Sequence, residues 1–147
     1  MRPPVRSRVR FQIGQKVEVC GKEEGFFGSY YEATIVSCVG NSCYLVQYKN
    51  LLSATEPNKP LVEMVKLKDL RPIPSEDLGS HEFIVNQNVD VFDNDGWWVG
   101  KITSKRGSRY SVYFSSTNEE IVYPSSQIRV HVDWIDGSWV YQDGNQQ

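Results

Sequence analysis

Hydrophobic residues alternate with polar residues in short runs along the chain. The first half has such runs at Val17 and Val19, Ala33 and Ile35, and Tyr44, Val46 and Tyr48. The second half has them at Val89 and Val91, Gly100 and Ile102, and Tyr110, Val112 and Phe114. A period of two is typical of strands with one buried face, and no segment carries a long stripe with the 3.6-residue period of a helix. The pattern predicts short antiparallel strands and little helix.

The chain repeats itself. The segment FQIGQKVEV at 11–19 recurs as FIVNQNVDV at 83–91, YYEATI at 30–35 as WWVGKI at 97–102, and YLVQY at 44–48 as YSVYF at 110–114. A repeat of this length indicates two homologous modules, which we call module one and module two.

About four or five short strands in roughly 60 residues, with edges that must be closed, predict a small twisted barrel in each module. The expected fold is therefore all-β, with two tandem barrels packed together. We assign a basic N-terminal arm to 1–10, module one to 11–74, a linker to 75–82, module two to 83–141 and a disordered tail to 142–147.

Charge is unevenly distributed. The sequence has 16 basic and 18 acidic residues, and its first ten residues hold four arginines and no acid. The remaining chain carries 12 basic against 18 acidic residues, so its formal charge is −6. An acidic body suits a cationic partner, whereas the arm (Arg2, Arg6, Arg8 and Arg10) offers a weak contact to DNA phosphates. An ordinary solvated surface with a frayed terminus explains the same charges equally well.

No motif predicts catalysis, metal binding or a small-molecule substrate. The three cysteines form no Cys-x-x-Cys pair, and the two histidines are 50 positions apart. There is no Gly-rich phosphate loop, and no apolar run approaches the roughly 20 residues of a membrane helix. We expect a non-enzymatic protein without a cofactor and without a membrane partner.

Aromatic residues near strand ends indicate a binding site in module two. Phe92, Trp98 and Phe114 come from three adjacent strands. Three rings can enclose a methylated ammonium, because ring quadrupoles attract a cation that methylation has made less costly to desolvate. Nearby carboxylates are candidates to contact basic residues of the same ligand: Asp93, Asp95, Glu119 and Glu120. The alternative is that these aromatics belong to the core, as most aromatics in thin β domains do.

Module one offers related residues. Tyr31 and Tyr48, with Phe26 from a longer loop, could form a second aromatic pocket. Its candidate acidic contacts are Glu23, Glu24 and Glu32.

Three further motifs are GSYYEATI at 28–35, DGWWVGKI at 95–102 and HVDWIDGSW at 131–139. With the paired modules, they resemble the plant tandem Agenet domain, a branch of the Tudor-like group. The resemblance implies SH3-like barrels, a nuclear location, no catalysis and recognition of methylated lysine on histone tails. One plant subgroup, to which this sequence is most similar, reads histone H3 dimethylated at lysine nine in silent heterochromatin, which implies a role in gene silencing. By motif position the resemblance assigns the cage to Phe92, Trp98 and Phe114, while Cys20 stands in module one where Phe92 stands in module two.

Two other binding functions stay open at this point. In a nucleic-acid-binding protein the aromatics would stack on bases and the arm would contact phosphate, although the acidic body disfavours this. An adaptor module would bind an unmodified protein. Trp134 and Trp139 are expected to belong to a C-terminal strand or hairpin that packs on module two.

Overall fold

The computed structural model describes residues 10–21, 28–75 and 82–141. Within them, module one contains β1 (Lys16–Cys20), β2 (Ser29–Val39), β3 (Cys43–Leu52), β4 (Pro60–Lys66) and β5 (Leu70–Pro72). Module two contains β6 (Asn88–Asp93), β7 (Gly96–Arg106), β8 (Arg109–Phe114), β9 (Glu119–Pro124) and β10 (Ile128–Val130). A terminal hairpin follows, made of β11 (Val132–Ile135) and β12 (Ser138–Tyr141). Helix in the described residues is confined to two 3₁₀ turns, Leu67–Asp69 and Ser125–Gln127.

Each module has the same antiparallel order. β1 pairs with β2, β2 with β3 and β3 with β4, and after the 3₁₀ turn β5 returns to pair with β1. The strands β6 to β10 repeat this arrangement. The structure therefore confirms the predicted all-β fold of two small SH3-like, Tudor-like barrels packed together. Most of the predicted arm and linker, and the whole of the tail at 142–147, lie outside the described residues.

A repeated aromatic pair closes each core. The Phe11 amide donates a hydrogen bond to the Tyr44 hydroxyl over 3.2 Å, and the Phe83 amide donates one to the Tyr110 hydroxyl over 3.1 Å. The two rings of each pair meet edge to face. The buried tyrosine thus packs its ring in the core while its hydroxyl satisfies a backbone amide, which explains why these positions repeat.

The two barrels share one sheet. At the starts of β2 and β7, Ser29 lies opposite Trp98 and Tyr30 lies opposite Trp97. Trp98 also packs against the buried clusters of both modules. The backbone pairing and this shared ring fix the position of one module against the other.

A cluster of buried charges crosses the boundary between the modules. We call it the seam cluster, and it comprises Glu18, Arg71, Asp90, Arg129, His131 and Asp133. Equivalent positions of the two modules supply its central residues: Glu18 in module one corresponds to Asp90 in module two, and Arg71 corresponds to Arg129.

Glu18 is the hub of the seam cluster. Its side chain is 1% exposed and accepts hydrogen bonds from both arginines, over 2.8–3.0 Å. Arg129 also donates to Asp90 over 3.0 Å. Each guanidinium lies over an aromatic ring, Arg71 at 3.5 Å from the Tyr30 centroid and Arg129 at 4.0 Å from the Trp97 centroid. Charge pairing and ring stacking together compensate for the burial of two guanidiniums.

His131 lies between two carboxylates of the cluster. Its Nδ1 is 2.7 Å from Asp90 and its Nε2 is 2.9 Å from Asp133. An ionised carboxylate only accepts hydrogen bonds, so both ring nitrogens must carry protons to satisfy both contacts. Burial opposes the charged form of His131, but the hydrogen bonds and charges of Asp90 and Asp133 outweigh it and raise its pKa.

The predicted C-terminal hairpin exists, with the Trp134 and Trp139 rings 4.9 Å apart. Its contacts extend beyond module two, where the sequence placed it. Arg71 of module one donates a hydrogen bond to the Val132 carbonyl over 2.8 Å and lies 5.2 Å from the Trp139 ring. The hairpin therefore packs across the boundary between the modules.

Candidate functional site

An aromatic pocket of about 110 Å³ opens on module two. Its walls include the rings of Trp98, Phe114 and Tyr123, with Asp93 and Glu119 among the polar residues around them. Phe114 and Tyr123 are buried and meet edge to face at 6.0 Å, while Trp98 is half-buried. Three rings and two carboxylates at one opening form a site suited to an organic cation.

Asp93 holds two of the three rings in place. It ends β6 at a two-residue turn in which Asn94 and Asp95 both have positive φ, the conformation of a tight type I′ hairpin. Its backbone carbonyl accepts a hydrogen bond from the Trp98 indole N–H over 2.7 Å. One carboxylate oxygen accepts from the Tyr123 hydroxyl over 2.7 Å, and the other accepts from the Asn94 amide over 2.8 Å. Burial and this carboxylate raise the pKa of Tyr123, so the ring stays neutral.

Phe92, which the sequence assigned to the cage, does not line the pocket. Phe92 lies opposite Trp97, and their rings contact each other at 5.3 Å. Val91, its neighbour, lies opposite Trp98. Successive side chains of a strand point to opposite faces, so Phe92 faces away from the pocket.

Tyr123 is the ring that the sequence argument missed. It lies on β9, where Glu119, Ile121 and Tyr123 all line the pocket. The alternation in EEIVY at 119–123 was the available signal, because a strand beginning at Glu119 places these three residues on one face.

Only two of the four acidic residues predicted for module two line the pocket. Asp93 and Glu119 line the pocket, whereas Asp95 occupies the adjacent turn and is not among the lining residues. Glu120 points to the other face of β9, where Ser111 and Thr103 donate hydrogen bonds to its carboxylate over 2.5 and 2.9 Å. These hydrogen bonds lower the pKa of Glu120.

Module one carries a larger groove of about 590 Å³. Tyr31 and Tyr48, the two described residues of the second aromatic pocket expected from the sequence, both line it together with Leu51, Leu61 and Glu63. The Tyr48 hydroxyl donates a hydrogen bond to Glu63 over 2.7 Å.

Two features of the groove differ from the sequence expectation. Glu63 and Asp69 supply its carboxylates, while Glu32 lies 3.7 Å from Lys49 and is not among the lining residues. The other predicted residues, Glu23, Glu24 and Phe26, lie outside the described residues.

The pocket and the groove share a wall. Tyr31 lines the groove and meets Trp98 edge to face at 6.3 Å. A side chain at Gly96 would clash with this arrangement, because an added Cβ would lie 2.7 Å from the Tyr31 ring. Glycine at the end of the turn is therefore required for the close approach of Tyr31.

Comparison with known proteins follows the same division into two modules. Residues 14–75 and 86–140 each match the Agenet domain. The chain belongs to the Agenet domain family. It is a tandem Agenet pair, a non-catalytic binding module rather than an enzyme.

Similar sequences come from Arabidopsis thaliana. Protein AGENET DOMAIN (AGD)-CONTAINING P1 is 39% identical over 133 residues, which cover 88% of this chain and 25% of that protein. DUF724 domain-containing protein 3 is 32% identical over 130 residues, covering 84% of this chain and 19% of that protein. The chain thus spans a quarter or less of the length of these two relatives.

Solved structures show the same architecture. The crystal structure of Arabidopsis thaliana AGDP1 AGD34 has 34% identity and a TM-score of 0.83, with 90% of both chains covered. That of the ADCP1 tandem Agenet domain 3-4 has 31% identity and a TM-score of 0.77, with 90% of this chain and 88% of the other covered.

In residues 10–21, 28–75 and 82–141, two other kinds of structure are absent, a membrane-spanning helix and a metal-binding cluster. No described helix is long and apolar enough to cross a membrane. Among the same residues, no group of three or more His, Cys, Asp or Glu side chains is arranged to hold a metal ion.

Proposed function

We propose that this tandem Agenet pair is a chromatin reader whose module-two pocket binds a methylated lysine of a histone tail. The observation that carries the proposal is the enclosure of one opening by Trp98, Phe114 and Tyr123 with a carboxylate beside them. Methylated ammonium groups are attracted to ring faces and lose less hydration than an unmethylated lysine. The formal charge of −6 on residues 11–147 suits the many basic residues of such a tail.

The ligand we propose is the histone H3 tail dimethylated at lysine nine. This choice rests on the resemblance to the plant subgroup that reads this mark, and it implies a nuclear protein of heterochromatin that acts in gene silencing. The basic arm adds a weak contact to DNA in this proposal, and three of its four arginines lie outside the described residues.

The module-one groove takes an unmodified basic residue of the same tail. An unmethylated lysine keeps three N–H donors and needs acceptors rather than rings alone. Glu63, positioned by Tyr48, supplies a carboxylate within the groove. We expect Glu63→Gln to weaken binding of the H3 peptide, and methylation of the second lysine to weaken it as well. A doubly methylated peptide that binds as tightly as the singly methylated one would contradict this assignment.

The central test is calorimetric titration with H3 peptides that differ only in methylation of lysine nine. Trp98→Leu keeps apolar volume at the contact of the two cores but removes the ring. We expect a loss of about 0.5–2 kcal/mol of binding free energy from the missing cation–π contact, before packing losses.

Tyr113→Ala is the matched control. Tyr113 precedes Phe114 on β8, is absent from the pocket lining, and donates a hydrogen bond to Asn118 over 2.6 Å. It should retain wild-type affinity. The proposal fails if Trp98→Leu stays folded by circular dichroism and still binds the dimethylated peptide as the wild type does.

A further inference from the structure

We propose that the histone tail adds to module one as an extra β-strand along the open edge of β4. This inference rests on the proposed function and deepens it, because it assigns the conformation and the hydrogen bonding of the ligand backbone in the module-one groove. Three features support it: the pairing of β4, the direction of its backbone amides and the residues that line the groove.

β4 forms one edge of the module-one sheet. Among the strands of the described residues, it pairs with β3 alone, in antiparallel register. In such a pair, alternate residues direct their backbone N–H and C=O groups toward the partner strand, and the residues between them direct these groups away. Just beyond the last paired residues, the Leu67 amide donates to the Ser42 carbonyl over 2.7 Å, which fixes this alternation for the strand. The β4 residues that turn their N–H and C=O groups to the open edge are Val62, Met64 and Lys66.

The groove runs along this open edge. Its lining includes the four consecutive β4 residues at 63–66 and, on the opposite side, residues 19–21 at the end of β1. Successive side chains of a strand point to opposite faces, and here Val65 is buried while Met64 is 59% exposed. Residues of both faces border one groove where that groove follows the edge of the strand. The backbone of β4 is therefore accessible to a ligand in the groove.

Module two differs at the equivalent strand. Of β9, only the alternate residues Glu119, Ile121 and Tyr123 line the module-two pocket. These three side chains share one face, so the pocket opens on that face and does not follow the edge of β9. Strand addition is therefore assigned to module one alone.

Charge favours the basic tail over a second copy of this chain as the added strand. Glu63 and Asp69 line the groove, but so do Lys66 and Lys68, so the groove by itself is balanced. Residues 11–147 as a whole carry a formal charge of −6. This charge attracts a cationic peptide and repels a second copy.

An extended strand in the groove also joins the two sites of the proposed function. The groove shares the contact of Tyr31 with Trp98 as a wall with the module-two pocket, so one continuous peptide can pass between them. Every second side chain of an added strand points into the groove, where Glu63 accepts a hydrogen bond from Tyr48. In this binding mode the main chain supplies affinity and the alternate side chains supply specificity.

The first test uses the wild type and H3 peptides dimethylated at lysine nine that each carry one N-methylated backbone amide before that lysine. N-methylation removes the N–H donor and leaves the side chain in place. Because only alternate residues of the added strand donate to β4, we expect affinity to fall about two- to tenfold at every second amide within the groove and to stay unchanged at the amides between them. A response without this period of two would refute strand addition.

The second test removes an amide from the edge itself. Met64→Pro deletes one outward N–H and spares the hydrogen bonds to β3, since proline is tolerated on edge strands. Val122→Pro is the matched control, because Val122 lies opposite Ser111 on β9 as Met64 lies opposite Leu45 on β4. With both variants folded by circular dichroism, we expect Met64→Pro to weaken the dimethylated peptide about two- to tenfold and Val122→Pro to retain wild-type affinity.

The outcomes separate the two proposals. If the wild type does not bind the dimethylated peptide, the proposed function fails. If the wild type binds it but Met64→Pro binds as tightly as Val122→Pro, strand addition is refuted and the reader function stands. The N-methylated peptides decide the question if Met64→Pro does not fold. Analytical ultracentrifugation tests the other occupant: a wild-type dimer that Met64→Pro abolishes would show that the edge of β4 pairs with a second copy, and this result would overturn the proposal.

Discussion

Replacing Glu18 with Gln removes one buried negative charge from the seam cluster without opening a cavity. In the native protein Glu18 accepts hydrogen bonds from Arg71 and Arg129, and Asp90 is the other carboxylate shared by these arginines. With His131 protonated, the cluster carries three positive and three negative charges. The variant leaves one buried positive charge without compensation.

The size of the effect follows from burial. Removing one partner of a buried ion pair costs about 3–5 kcal/mol, because the remaining charge stays out of water. Domains of this size have about 5–15 kcal/mol of stability, so Glu18→Gln removes a large fraction of the total. At roughly 2–4 °C per kcal/mol, we expect the midpoint of thermal unfolding to fall by about 6–20 °C.

Urea unfolding measures the free energy of unfolding at equilibrium. We expect Glu18→Gln to lower the urea concentration at the midpoint and to leave the dependence of this free energy on urea concentration nearly unchanged. Glu56→Gln is the control, because Glu56 pairs with Lys59 over 3.1 Å at an exposed position where a pair contributes about 0–1 kcal/mol. If Glu18→Gln unfolds at the same urea concentration as Glu56→Gln, the Glu18 charge in the seam cluster does not stabilise the fold.

Four further predictions concern the same structure. The folded protein raises the pKa of His131 above the unfolded value of about 6.5, so the stability that protonated His131 contributes is complete below that pH and is lost as pH rises through the folded pKa. The free energy of unfolding measured with urea should therefore fall as pH rises through this range in the wild type but not in His131→Gln. An added Cβ at Gly100 would lie 2.5 Å from Val112 and 3.1 Å from the Phe114 ring, so Gly100→Ala should cost about 1–3 kcal/mol of stability and weaken methylated-peptide binding in calorimetry. Phe92→Leu should keep wild-type peptide affinity, and a loss as large as that of Trp98→Leu would show that Phe92 contributes to the cage. Raising the salt concentration in peptide titrations should lower the affinity for methylated and unmethylated peptides alike, since exposed charges are screened beyond about 8 Å at physiological ionic strength, while the preference for the methylated form persists.

Local pattern and repetition were sufficient to predict the two barrels. The period of two predicted strands with one buried face, and the structure buries that face at positions such as Val17, Val46 and Val112. The 11–19 and 83–91 repeat predicted two similar modules, and the phenylalanine that begins each copy makes the same contact to a buried tyrosine hydroxyl. These features depend on residues close in the chain or on the repeat itself, so sequence reasoning could reach them.

The tertiary structure decided which side chains meet. The pairing of β9 with β8 brought Tyr123 beside Phe114 at the pocket, and the pairing of β6 with β7 set the Phe92 ring against Trp97. The pairing of Glu18 with Arg71 and Arg129 joins residues 53 and 111 positions apart, and no local pattern encodes such a contact. The sequence by itself determined the two modules and the rings and acids available to them. Strand pairing within module two selected the rings that form the pocket, and packing of one module against the other selected the charges that are buried between the modules.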